Sequence, residues 1–270
     1  MKTYQYVKMD PTGNITVLVT DPVPREEQPE LAGRLMADPS VGGEQVGFLE
    51  RPEDPACRIH LQMMGGEFCG NATMSAAAWM MMTDGQDGER DIPMEVSGAD
   101  GTLICRIRTA EDGWEGTVRM PAVLECMTTD LPWRGEGYHL IAVRMEGITH
   151  LILNGWIDCD EEAEAMLKAW SHAYQEDAVG LLQWNEEQQS IRPLVLVKAA
   201  GTLVWESGCG SGSAAIGAWK ALESGNPVTV TEVSQPGGMI RTEVRTEGKQ
   251  IREITITGKV RLIREGSVTL

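Results

Sequence analysis

Two Cys-Gly pairs carry the residues best suited to chemistry. Glu67-Phe68-Cys69-Gly70-Asn71-Ala72-Thr73 and Glu206-Ser207-Gly208-Cys209-Gly210-Ser211-Gly212-Ser213 each follow a strand-like run and open an Ala/Ser-rich stretch. A thiol at a helix N-terminus feels the positive end of the helix dipole, which favours the thiolate and lowers its pKa. The first-turn N–H groups form an anion site, and glycine lets a ligand approach the backbone closely. One such element suggests a nucleophile or a redox thiol. Two suggest a carboxylate held with a thiol on each side. That suits inversion of a stereocentre beside a carboxylate, where one group removes a proton from one face and the other delivers one to the opposite face. Oriented amides would stabilise the carbanion's charge without a cofactor.

The pairs belong to an internal repeat. Cys69-Gly70 to Ala78-Trp79 recurs as Cys209-Gly210 to Ala218-Trp219 at an offset of 140. Glu95-Val96-Ser97 recurs as Glu232-Val233-Ser234 at an offset of 137, followed by Gly101 with Gly238 and Arg108 with Arg245. Order and near-constant offset mark two homologous halves. The boundary falls around Leu131 to Glu136, so the lobes are expected at residues 1–133 and 134–270.

The elements that must position the thiols are mostly strands. Alternating or β-branched runs lie at 15–19, 58–63, 103–107 and 194–197, and two more at 254–257 and 260–263. Helical patterns are fewer: Ala72 to Met82, Glu161 to Tyr174, Ser213 to Leu222 and a short one over Pro29 to Ala37. The class is α+β with a mainly antiparallel sheet.

Composition narrows the function. Lys and Arg number 23 against 40 Asp and Glu, a formal charge of −17. Such a surface repels phosphate backbones and anionic membranes, which argues against nucleic-acid binding. No apolar run approaches the ~20 residues that span a bilayer. Met1 to Tyr6 leads straight into an alternating segment without a signal-like apolar core, so a cytoplasmic protein is expected. The six cysteines form no C-x-x-C pair, which removes zinc-ribbon and thioredoxin readings. Most of them are expected to be reduced, buried and inert. Neither a metal nor another cofactor is expected. The partners expected are a small carboxylate-bearing substrate, an amino acid by the resemblance given next, and, at most, a second copy of the chain.

The two Cys-Gly motifs, with Met9-Asp10-Pro11-Thr12-Gly13-Asn14 and Gly147-Ile148-Thr149-His150, resemble the diaminopimelate epimerase superfamily of pyridoxal-phosphate-independent racemases and epimerases. The resemblance spans nearly the full length. It implies two pseudo-symmetric lobes, each a β-barrel-like sheet wrapped around a central helix, with the active site between them. It implies Cys69 and Cys209 as the bases and His150 and Glu206 as groups assisting them. Asn14 and Asn71 would hold the amino acid moiety, while Gly70, Gly210 and Ser211 offer N–H groups to its α-carboxylate.

Departures bear on the substrate. In diaminopimelate epimerase the acid of the second motif precedes an Arg that grips a distal carboxylate; here Glu206 precedes Ser207. The Asn before the first motif is also absent from His60-Leu61-Gln62-Met63-Met64. The Glu-Phe-Cys-Gly-Asn-Ala form is closer to histidine racemases of metallophore biosynthesis, so histidine leads the candidate substrates. Three rivals share the scaffold. A phenazine-biosynthesis-type isomerase does not need a thiol in both halves. A proline racemase-like enzyme usually reads Cys-Gly-His where this chain has Cys69-Gly70-Asn71. A non-catalytic amino-acid-binding protein would not require two poised thiols.

Overall fold

A computed structural model describes residues 1–198 and 201–270. The chain divides into two compact units, residues 1–119 with 257–270 and residues 120–256. The expected single cut at 133/134 differs from this division. It falls in a hairpin turn, Trp133 to Glu136, because the chain enters the second unit earlier and its last strand returns to the first.

The first unit contains β1 (Thr3–Pro11), β2 (Thr16–Val19), α1 (Gln28–Ala37), β3 (Gln45–Glu50) and β4 (Ile59–Met63). It continues with α2 (Gly70–Thr83), β5 (Glu89–Val96), β6 (Leu103–Ala110) and β7 (Gly113–Arg119). Neighbours in the sheet follow chain order from β1 to β7. β2–β3 and β4–β5 run parallel, and parallel neighbours need a crossover, which α1 and α2 supply. α1 seals one apolar cluster, with Leu31 and Leu35 against Tyr4, Tyr6, Val17, Val19 and Phe48. Each fully buried leucine contributes about 2 kcal/mol. α2 is buried from Gly70 through Ala78, a stretch of mostly small side chains. At Gly116 of β7 a β-carbon would lie 2.7 Å from the Met74 side chain, so only glycine fits there.

The second unit follows a similar order with one more strand before each helix: β8 (Val123–Trp133), β9 (Glu136–Met145), β10 (Ile148–Asn154), α3 (Asp160–Trp170), β11 (Ala178–Asn185) and β12 (Ser190–Val197). Then come β13 (Thr202–Trp205), α4 (Gly210–Ser224), β14 (Val228–Gln235), β15 (Gly238–Glu247) and β16 (Gln250–Thr269). α3 packs Ala163, Met166, Leu167 and Trp170 on Leu140, Leu151, Val179, Leu181 and Leu194. Its first turn carries Asp160, Glu161 and Glu162, which suit the helix dipole. α4, like α2, is buried along most of its length.

The two strands expected near the C-terminus are one. β16 runs unbroken for 20 residues, because Gly258 keeps an ordinary negative φ and does not turn the chain. Its last part pairs antiparallel with β1, from Thr3 with Thr269 to Pro11 with Val260. The architecture is α+β with a mixed sheet, antiparallel in most pairings. Among the described residues no helix is long and apolar enough to cross a membrane.

Candidate active site

Cys69 is the N-cap of α2. Its extended backbone (φ −135°, ψ 110°) turns the sulfur over the helix end, where it accepts the Ala72 N–H at 3.4 Å. Thr73 Oγ1 donates to the Cys69 carbonyl at 2.8 Å, occupying another group at the helix start. The thiol donates to Gln45 Oε1 at 3.1 Å. Gln45 Nε2 in turn donates to Thr16 Oγ1 at 2.7 Å, and that hydroxyl donates to the Asn14 carbonyl at 3.0 Å. Thr16 and Gln45 meet because they are register partners across the parallel pair β2–β3.

Asn14 follows a tight turn in which Thr12 (φ 58°) and Gly13 (φ 89°) are left-handed. Such a conformation is strained for threonine, and Asp10 Oδ1, which accepts the Gly13 N–H at 2.6 Å, secures the turn. The Asn14 side chain is buried and donates to Glu44 Oε2 at 3.2 Å. Its Oδ1 has no hydrogen-bond partner among the described residues. Asn71 is buried in the first turn of α2 beside Gly70. Cys69 and Asn14 are therefore joined through Gln45 and Thr16, and Gly70 and Asn71 follow Cys69 in the first turn of α2.

The second unit repeats the cap. Cys209 is the N-cap of α4, its sulfur accepts the Gly212 N–H at 3.3 Å, and Ser213 Oγ donates to its carbonyl at 2.8 Å. Gln235 Oε1 accepts the Cys209 N–H at 2.6 Å while its Nε2 donates to Ser213 Oγ at 2.8 Å. Glu206 hydrogen-bonds the thiol. Ser211 Oγ lies 3.6 Å from the sulfur and 2.9 Å from His150 Nε2. Glu206, His150, Gly210 and Ser211 thus gather around Cys209.

The expected lowering of the thiol pKa by the helix dipole does not hold at Cys209. Burial pushes it well above the ordinary value, and the Glu206 carboxylate reinforces the rise; Ser211 and the Gly212 N–H oppose it. Desolvation of a fully buried thiolate outweighs partial charges at a helix end. Burial also drives His150 down to about 3, so its imidazole is neutral near pH 7. The ring lies on Gly180, where a β-carbon would collide with it.

Gln45, Thr16 and Gln235 were not legible as site residues. No motif flags them, and they reach the caps only through strand register. Thr73 and Ser213 recur at the same offset of 140 as the cysteines, so the repeat held a signal for them. Cys57, Cys105 and Cys209 are buried and Cys69 and Cys126 half-buried, whereas Cys159 is exposed and donates to Glu161 at 3.1 Å. Cys105 and Cys126 are pushed up by burial to about 12 and about 11, which leaves both unreactive.

The comparisons separate the rival readings. The chain is similar in fold to a probable proline racemase from Agrobacterium radiobacter, at 16% identity with a TM-score of 0.72 over 99% of this chain and 93% of that one. It is equally similar to a phenazine biosynthesis protein of the PhzF family from Bacillus anthracis, at 15% identity, TM-score 0.72 and full coverage of both. Fold alone does not choose between those two. A histidine racemase from Staphylococcus aureus is 28% identical over 97% of this chain and 96% of its own length. The family model described as the histidine racemase CntK N-terminal domain matches residues 3–269. With that match over nearly its whole length, the chain belongs to the histidine racemase family and is an isomerase.

Proposed function

We propose that this protein racemises a free amino acid, histidine first among candidates, with Cys69 and Cys209 as its two acid–base groups. The observation that carries the reading is the duplicated cap: two thiols, each held at a helix start by the amide three residues on. One thiolate takes the Cα proton, so a C–H bond breaks and an S–H bond forms. The opposite thiol then gives its proton to the carbanion, and the configuration is inverted. Each sulfur ends in the protonation state the other began with.

The surrounding residues fit this division of labour. First-turn amides at Gly70, Asn71, Gly210 and Ser211 suit an α-carboxylate whose negative charge grows as the proton leaves. The buried, unpartnered Asn14 Oδ1 suits an N–H donor of the substrate. Glu206 accepts the Cys209 S–H, and His150 acts on the same sulfur through Ser211. Ser207 in place of an Arg removes the anchor for a distal carboxylate, which disfavours a diaminopimelate-like substrate. We further read each half as a barrel-like sheet around its buried helix, acting on a cytoplasmic metabolite.

The test is a panel of L-amino acids incubated with the protein in D2O and scored for α-deuteration. Histidine should incorporate deuterium at Cα and yield the D-isomer after removal of any pyridoxal phosphate. Exchange of no amino acid, or undiminished formation of the D-isomer by Cys209→Ser, would overturn the reading.

A further inference from the structure

The least explained side chain near Cys209 is His150. It is fully buried, and its Nδ1 has no hydrogen-bond partner among the described residues, while Nε2 lies 2.9 Å from Ser211 Oγ. A neutral imidazole carries one proton, on Nδ1 or on Nε2. A proton on Nδ1 would leave a buried N–H unpaired against Gly180. A proton on Nε2 leaves only an unpaired lone pair there. Orphaned buried donors are rarer in folded proteins than under-used acceptors. The environment therefore selects the Nε2–H form, and that proton is donated to Ser211 Oγ.

This choice fixes what Ser211 can do. With its oxygen accepting from His150, its own O–H is left to point elsewhere, and the Cys209 sulfur lies 3.6 Å away. We propose that Ser211 is a positioning residue whose hydroxyl, oriented by the Nε2–H tautomer of His150, donates to the Cys209 sulfur in its thiolate form. The inference rests on the reading of Cys209 as a base and deepens it.

The sulfur then has one partner for each protonation state. Glu206 accepts S–H from the thiol, and Ser211 donates O–H to the thiolate, assisted by the Gly212 N–H at 3.3 Å. A group that must both lose and gain a proton needs partners of both kinds. No net proton moves through His150. It holds the serine hydroxyl in one direction, and its place depends on Gly180, the register partner of His150 across β10–β11.

The experiment uses the full chain with Ser211→Ala and Ser211→Thr. Three quantities are read: the rate of Cys209 alkylation by iodoacetamide at fixed pH, resolved by peptide mass spectrometry; the tautomer of His150 from nitrogen-15 histidine NMR; and kcat and KM for the amino acid that the wild type turns over. Loss of a hydrogen bond to an anion is expected to slow Cys209 alkylation about tenfold in Ser211→Ala, with Ser211→Thr close to wild type. The histidine spectrum should report Nε2–H in the wild type. kcat should fall about tenfold in Ser211→Ala with KM little changed. An unchanged or faster alkylation rate in Ser211→Ala, or an Nδ1–H tautomer in the wild type, would overturn the proposal. Should the wild type turn over no amino acid, the functional reading fails, while alkylation and NMR still decide the role of Ser211.

Discussion

Cys69 and Cys209 cap their helices in the same way, the sulfur accepting the amide three residues on at 3.4 Å and 3.3 Å and the carbonyl accepting a hydroxyl four residues on at 2.8 Å in both. What stands behind each sulfur differs. Cys69 donates to the Gln45 amide, whereas Cys209 has Glu206 and the Ser211–His150 pair. The difference traces to two cross-strand pairs, Thr16 with Gln45 and His150 with Gly180. Thr16 and His150 each lie three residues after a left-handed turn glycine, Gly13 or Gly147. In the first pair the long side chain comes from the second strand, and in the second pair from the first.

The two thiols should serve opposite enantiomers. Cys69→Ser and Cys209→Ser are both expected to abolish net racemisation, since a hydroxyl is far too weak an acid to replace a thiol. With a β-chloro amino acid, abstraction alone leads to elimination and needs no second thiol. Each variant should eliminate from one enantiomer and spare the other, with opposite preferences, as followed by chloride release from pure D- and L-isomers. Identical preferences in both variants would refute the opposite-face mechanism.

Thr16→Val tests whether Gln45 must be oriented. The hydroxyl of Thr16 takes the Gln45 N–H, which leaves the carbonyl oxygen for the Cys69 thiol. Removing it strands a half-buried amide N–H at a cost of about 1 kcal/mol and lets the amide flip. Turnover should fall roughly tenfold. Thr16→Ser should keep the stability, measured by urea denaturation. Equal stability of Thr16→Val and wild type would contradict the lock.

Acid should weaken the fold in two overlapping windows. Burial pushes His150 down to about 3 when folded against an ordinary 6.5, so between those values only the unfolded chain takes up its proton. Stability therefore declines as pH falls from 6.5 toward about 3, by up to about 1.4 kcal/mol per pH unit. Glu95 is held down to about 2, first by the backbone N–H groups of Asp54 and Glu53 and then by His60. Its contribution is intact above its ordinary 4.5 and is lost as pH falls through about 2. Urea midpoints recorded between pH 7 and pH 4 should fall less steeply for His150→Asn than for wild type. Parallel slopes would show that His150 is not buried in its neutral form.

Gly180→Ala should dislodge His150. The added methyl would collide with Nδ1 and Cε1 of the imidazole, and overpacking of a buried site costs about 1–3 kcal/mol. Adding His150→Ala to that variant should recover the melting temperature without recovering turnover. Normal turnover in Gly180→Ala alone would show that the ring need not sit where it does.

The helix starts at the two cysteines, the repeat that relates them and the four helices were legible in the sequence. Capping and periodicity are read from residues within a few positions of one another, and the glycines mark where the backbone must open. The tertiary structure decided the rest. Gln45 reaches Thr16 across 29 residues because the chain between β2 and β3 sets the register of that parallel pair, and Gln235, at the end of β14, reaches the Cys209 amide across 26. A register shift of one residue would send Gln45 to the other face of its sheet, and no local pattern specifies it. The sign of the Cys209 pKa shift was likewise undecidable from the chain. The motif carries a helix dipole that favours the thiolate, but only packing determines how much water the sulfur loses, and at Cys209 that loss is the larger effect.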